Sequence, residues 1–103
     1  MKTARIVLTA GNIRNHHFYL RNCPEIIPEG GLGGNNKSQP GVTFTVRFEP
    51  GSTVQTDVAA DKMIFRDREA TRDFLERSAA EEGDLVILEQ VGTREVAVRL
   101  EKA

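Results

Sequence analysis

The sequence predicts a mainly β, α+β domain: a seven-stranded open β-barrel with one or two short helices. Three observations predict it. The apolar residues fall in short runs separated by Gly, Pro, Asn and Asp, several runs alternate with a period of two, and only one stretch carries a sustained helical period. With 103 residues and 39% hydrophobic content, the chain suffices for one domain, spanning 1–103, with one modest core. Many short strands avoid exposed sheet edges most easily by curling into a small barrel.

The elements follow in order. "ARIVLT" is a β-branched strand closed by "AGN", where Gly and Asn tolerate the positive φ of a turn. "HHFYL" is expected as a second strand, rich in aromatics. "CPEIIPEGGLGGNNKSQPG" holds three of the four prolines and five of the nine glycines, so it is expected to be irregular, with one helical turn at "PEIIP". "VTFTVRF" alternates Val42, Phe44, Val46 and Phe48 against Thr43, Thr45 and Arg47, the period of a half-buried strand. "EPGST" turns the chain, "VQTDV" returns antiparallel, and "DKMIFR" is a further short strand.

"REATRDFLERSAA" is the definite helix. Ala70, Phe74, Leu75, Ser78 and Ala79 form its apolar stripe, Asp67 caps its start, and Gly83 is placed to close its end. "DLVILEQ" and "REVAVRL" then make a terminal hairpin around "VGT". The first of these strands is continuously apolar, so it is expected to be buried on both faces, whereas the second alternates Val96, Val98 and Leu100 against Ala97 and Arg99.

Composition narrows the function classes. The apolar runs fall far short of the roughly 20 residues that span a bilayer, and no apolar stretch follows the start, so a cytoplasmic protein without membrane contact is expected. Cys23 is the only cysteine, which rules out an internal disulfide and a cysteine-based zinc site within one chain. The formal net charge of −1 conceals an asymmetry. Residues 1–48 carry Lys2, Arg5, Arg14, Arg21, Lys37 and Arg47 against Glu25 and Glu29, about +4, and the remainder is about −5. A polyanionic partner is therefore compatible with the first half only.

No set of residues supports catalysis. His16 and His17 are adjacent, so on a strand they point to opposite faces and cannot chelate one ion. "GGLGGNNKS" lacks the spacing of a phosphate-binding loop, although Asn35, Asn36 and Lys37 can still offer donors to a phosphate backbone. Asp57 and Asp61 have no nucleophile, metal set or cofactor motif beside them. No catalytic residue, metal or cofactor is assigned. Two segments do gather side chains suited to base edges and phosphates: "GNIRNHH" and "QTDVAADK".

"DKMIFRDREATRDFLERSAAEEGDLVILEQVGTREVAVRL", with its order of strand, helix, "GD" turn, apolar strand and hairpin, resembles the plant B3 transcription-factor domain. "IVLTAGNIRNHHFYLRNCPEIIPEGG" resembles that family's opening strand, polar loop, strand and proline-flanked helix. The family is a DNA-binding pseudobarrel that also includes recognition domains of some bacterial restriction endonucleases. The resemblance implies two arms gripping the major groove of double-stranded DNA. Carried onto this chain, the first is Asn12, Arg14, Asn15 and His16, and the second is Gln55, Thr56, Asp57, Asp61 and Lys62. It also implies a recognition module of a restriction-like or regulatory system, acting with a separate nuclease or other effector. Two further readings fit the same residues: a protein-binding adaptor or inhibitor using the acidic half, and an RNA or modified-base reader stacking on Phe18, Tyr19 and Phe65.

Overall fold

In the computed structural model, which describes residues 2–34 and 41–103, eight strands form two sheets. The strand that alternates most cleanly in sequence, β3 (Phe44–Glu49), buries Phe44, Val46 and Phe48 and leaves Thr45 and Arg47 half-exposed. It turns through Pro50 and Gly51 into its antiparallel partner β4 (Thr53–Thr56). On its other side β3 runs parallel to β8 (Glu95–Glu101), opposing Val46 to Val96 and Phe48 to Val98. β8 forms the expected hairpin with β7 (Leu85–Gly92), and β1 (Thr3–Val7) closes the order β1-β7-β8-β3-β4.

β7 is buried on both faces, as its continuous apolar run requires. Val86 and Leu88 enter the main core, while Ile87 is covered on the opposite face, where the ladder sets it between Arg5 and Arg99. The long stems of those arginines can shield apolar surface while their heads stay wet.

The second sheet is small: β2 (Leu32–Gly33), β5 (Val58–Ala59) and β6 (Ile64–Phe65), in the order β2-β5-β6. No strand pairing joins it to the first sheet among the described residues, so the ladders number eight strands in two sheets where seven in one barrel were expected. Apolar packing joins them instead. Phe65 of β6 meets Phe18, Phe44 and Phe48 at centroid distances of 5.9, 6.3 and 5.9 Å, and Phe48 continues to Phe74 at 5.5 Å. All five phenylalanines thus form one cluster, in the tilted and edge-on geometries that aromatic quadrupoles favour.

Two segments depart from the sequence expectation. Residues 10–15, read as a turn at "AGN" running into a polar loop, form the helix α1 (Ala10–Asn15), and "HHFYL", read as a strand, pairs with no strand. The cause is a reciprocal cap: the Thr9 amide donates to Asn12 Oδ1 at 3.0 Å, and the Asn12 amide donates to Thr9 Oγ1 at 3.1 Å. Asparagine here takes the place that Glu or Gln holds in the usual capping box. His16 then ends the helix in the left-handed region (φ 56°), and the extended chain beyond it drops Phe18 and Leu20 into the core. The predicted turn at "PEIIP" is present as a 3-10 turn over Pro24–Ile26, with Ile26 buried.

α2 (Arg68–Arg77) is capped by Asp67, whose carboxylate accepts from the Ala70 amide at 3.0 Å. Its buried stripe is Ala70, Thr71, Phe74 and Leu75, and Arg72–Glu76 and Asp73–Arg77 pair along the exposed side. Ala79, not Gly83, closes it. With φ 51°, Ala79 donates to Glu76 O at 3.1 Å, and the Ala80 amide reaches Leu75 O at 3.0 Å, the bond pattern of a Schellman motif.

Gly83 and Asp84 instead tie the loop after α2 to the residues that follow β1 and β8. The Gly83 amide donates to Leu8 O at 2.8 Å, and the Leu8 amide donates to Asp84 O at 2.9 Å. The Asp84 carboxylate accepts from Lys102 Nζ at 2.6 Å and from the Glu81 and Ala103 amides. Lys102 first, then those amides, hold its pKa down at about 2.

The run "VQTDV" breaks between the two sheets because Asp57 turns inward. Only 2% exposed, it accepts from Arg66 Nε at 2.8 Å, from Arg66 Nη2 at 3.2 Å and from the Gly41 amide at 2.7 Å. Arg66 Nη2 also donates to Gly34 O at 2.9 Å. Burial alone pushes the Asp57 carboxyl up, but the Arg66 guanidinium and the Gly41 amide outweigh it and hold the pKa below the ordinary carboxylate value. The neighbouring Gly33 is required by this clamp: a Cβ there would overlap the Asp57 carboxylate and lie 2.5 Å from the Gly41 nitrogen and 2.8 Å from Arg66 Nη2.

Two substitutions test this account. Gly33→Ala forces atoms into the clamp and is expected to lower the unfolding free energy by about 1–3 kcal/mol in urea denaturation. Ala79→Gly relieves a left-handed alanine and is expected to raise it by up to about 1 kcal/mol, with the fold unchanged by circular dichroism.

Candidate nucleic-acid interface

α1 is short because His16 stops it, so its exposed end carries Arg14 and Asn15 into solvent beside the half-buried His16. Across a shallow groove lie Arg68, Glu69 and Arg72, the first turns of α2. The turn between β5 and β6 presents Asp61 and Lys62, both exposed, with Asp61 Oδ1 accepting from the Lys62 amide at 2.9 Å. These two surfaces share a support. Past His16 the chain runs alongside the β5–β6 turn, where the Leu20 amide donates to Met63 O at 2.7 Å.

Not every residue expected to face a groove does so. Asn12 is buried in the helix cap with Thr9. Thr56 is buried, its Oγ1 accepting from the Asp67 amide at 3.0 Å and donating to Asp57 O. Asp57 is the clamp to Arg66. These three are framework residues: their polar atoms are spent inside the chain, where an unmet bond would be costly. Gln55 is exposed, its Nε2 donating to Thr45 Oγ1 at 2.5 Å on the outer face of the large sheet, away from the buried side chains of β3 and β4. Asn35, Asn36 and Lys37 lie outside the described residues.

Pairing redistributes the charge that composition suggested. Arg47, Arg66, Arg72, Arg77, Arg99 and Lys102 sit in ion pairs, and Arg94 donates to the carbonyls of Glu29, Val42 and Thr43. Among the described residues, Lys2, Arg5, Arg14, Arg21, Lys62 and Arg68 sit in no such ion pair, so their charge is open to an external anion. Four of these six belong to the half with the basic excess, and Lys62 and Arg68 to the half with the acidic excess.

His17 stands between the elements. It is 8% exposed, with Nδ1 3.4 Å from Arg68 Nη2 and its ring 4.8 Å from that of Tyr19, over which the Arg21 guanidinium lies at 4.2 Å. Burial first, then the charges of Arg68 and Lys62, hold its pKa below the ordinary 6.5. Arg68 and the role of His17 were not legible from the sequence, because they depend on α2 starting beside a segment some fifty residues earlier in the chain.

Comparison of the chain with protein-family models, with curated proteins and with solved structures returned no match.

The pH response follows from the sign of the His17 shift. A histidine whose folded pKa lies below its unfolded value binds fewer protons in the native state, so its contribution to stability is complete above about pH 6.5 and is lost as pH falls through the lower folded value. Urea denaturation between pH 7.5 and pH 5 is expected to show a loss of stability in the wild type that is smaller in His17→Asn.

Proposed function

We propose that this chain is a double-stranded DNA-binding domain with sequence preference, built as a B3-like pseudobarrel and performing no chemistry itself. The observation that carries the reading is the common support of the two contact surfaces. Arg14 and Asn15 at the end of α1 and Asp61 and Lys62 on the β5–β6 turn flank one extended segment, whose Leu20 amide bonds to Met63 O. Donors of this kind, Arg and Lys for guanine or phosphate and Asn for adenine, read base edges only when a rigid scaffold fixes their spacing. Here the scaffold is the phenylalanine cluster, which holds Phe18 from the first segment against Phe65 beside the second.

The order of the second half adds support: strand, helix, "GD" turn, apolar strand and terminal hairpin follow the family's order, whereas the first half has the helix α1 in place of the polar loop and no strand at "HHFYL". Within the reading, His16 joins the first arm, Gln55 extends the second, and Asn35, Asn36 and Lys37 supply further donors. A separate nuclease or regulatory effector provides the activity that recognition directs.

The alternatives draw less support. A base reader needs free aromatic faces, yet Phe18 and Phe65 are core residues, leaving Tyr19 alone with Arg21 stacked on it. An adaptor that uses the acidic half has fewer open carboxylates than composition suggests, since Lys102 engages Asp84 and Glu81.

The test is a gel shift of a randomised duplex pool at low salt, with selection of the retained fraction. Retained duplex is expected to fall steeply as salt rises, and Arg14→Ala to cost about 1–3 kcal/mol on the selected site if Arg14 meets a guanine. Failure of every duplex in the pool to bind at low salt overturns the reading.

A further inference from the structure

We propose that the free edge of β1 is a docking site for an extended segment of another protein, a strand of alternating apolar and acidic character that adds to the large sheet beside the Tyr19–Glu25 segment. This surface shares no residue with the arms assigned to duplex DNA.

The open edge follows from the register. β1 stands at the end of the order β1-β7-β8-β3-β4, and among the described residues no strand pairs with its other side. In an antiparallel ladder the N–H and C=O of one residue turn to the same neighbour, and those of the next residue turn away. The Gln90 amide donates to Lys2 O at 2.8 Å and the Leu8 amide donates to Asp84 O at 2.9 Å, so Lys2, Ala4, Ile6 and Leu8 face β7. Thr3, Arg5 and Val7 therefore turn their N–H and C=O groups outward along one edge. The pairing with β7 runs from Thr3 to Val7 without a bulge, and β1 contains no proline, so two of the usual devices that blunt an edge strand are missing.

This edge opens into a cleft of about 520 Å³, with β1 from Ala4 to Val7 on one side and Tyr19, Asn22, Cys23 and Glu25 on the other. A strand laid along β1 alternates its side chains between two environments. On the outer face it meets Thr3, Arg5 and Val7, all exposed, with Val7 at 60%. On the inner face it meets Ala4 and Ile6, where the small Ala4 leaves room and the buried Cys23 and half-buried Tyr19 across the cleft add apolar surface. In docking of this kind the main-chain bonds supply affinity and the alternate side chains supply specificity.

Charge identifies the occupant. Arg5 is the middle residue of β1 and sits in no ion pair among the described residues. A second copy joined by antiparallel β1–β1 pairing is disfavoured, because the register that engages all three outward residues sets Arg5 directly opposite Arg5, a like-charge pair that opposes association. It also brings the copy's own Tyr19–Glu25 segment towards the same cleft. A foreign strand with a carboxylate opposite Arg5 turns that repulsion into attraction. Glu25 on the far wall confines the carboxylate to the outer face, so the inward positions of the strand are apolar.

The test follows amide hydrogen exchange of the chain, free and with the peptide acetyl-Val-Val-Glu-Val-Thr-amide, whose glutamate is designed to lie opposite Arg5. In the free chain the Arg5 and Val7 amides are expected to exchange fast while Ala4, Ile6 and Leu8 are protected. Saturating peptide should slow Arg5 and Val7 roughly tenfold or more. N-methylation of the peptide's glutamate, whose amide faces β1, should abolish the effect, whereas N-methylation of its second valine, whose amide faces away, should preserve it. Arg5→Glu should lower affinity for this peptide about fivefold and raise it for the version with lysine in place of glutamate. The site is overturned if the peptide leaves Arg5 and Val7 exchange unchanged, or if both N-methylated peptides bind alike. It is equally overturned if Arg5 and Val7 become protected with rising protein concentration alone and the chain sediments as a dimer, since a second copy then holds the edge.

Discussion

The bidentate pairing of Asp57 with Arg66 is the constraint on which the arrangement of the two sheets depends. It decides where β4 ends, because the residue that would continue the edge strand has its carboxylate drawn inward instead. It fixes β5 and β6 against each other, since the Arg66 amide also bonds to Asp57 O at 2.9 Å. Through Gly41 and Gly34 it reaches both flanks of the glycine-rich stretch. A carboxylate this buried is tolerable only when it is fully bonded, and here three donors meet it. The glycine at position 33 is thereby explained without any ligand: the backbone must pass where a side chain would strike the pair.

The parts of the fold readable from sequence are those governed by local period. β3, β7, β8 and α2 each carry their burial pattern in the order of their own residues, so alternation or helical spacing suffices to find them. The failures have a common physical origin. α1 depends on one reciprocal side-chain cap, Thr9 with Asn12, and six residues offer too little periodicity to betray it. "HHFYL" has strand composition but no strand partner, because Phe18 and Leu20 are claimed by the core. The break at Asp57 answers to an arginine nine residues later, and the closure of α2 by an alanine inverts the usual preference for glycine.

The proposed contact surface was partly legible for a related reason. Residue type identifies Arg14, Asn15, Asp61 and Lys62 as good donors and acceptors, and these are exposed. Type alone could not separate them from Asn12, Thr56 and Asp57, whose polar atoms are committed to the framework. The same side chains that suit a base edge also suit a helix cap or a buried ion pair; only burial distinguishes the two uses. Charge is partly legible in the same way: most cations outside ion pairs lie in the basic half, but Lys62 and Arg68 are left open by how the carboxylates of the other half fold against its remaining bases.

The parallel pairing of β3 with β8 bears on how the domain is made. Val46 lies opposite Val96 and Phe48 opposite Val98, so the centre of the large sheet joins strands separated by about fifty residues. The hairpins β3–β4 and β7–β8 can form from neighbouring chain, but β3 stays an edge on one side until β8 has been synthesised and docked. On a ribosome its alternating Phe44, Val46 and Phe48 would therefore wait half-covered for most of the remaining translation, the interval in which an unpaired apolar strand is most open to pairing with another chain. Closing so long a connection is slow relative to hairpin formation, which places the vulnerable step of this domain's biogenesis at the sheet centre rather than at its exposed surface.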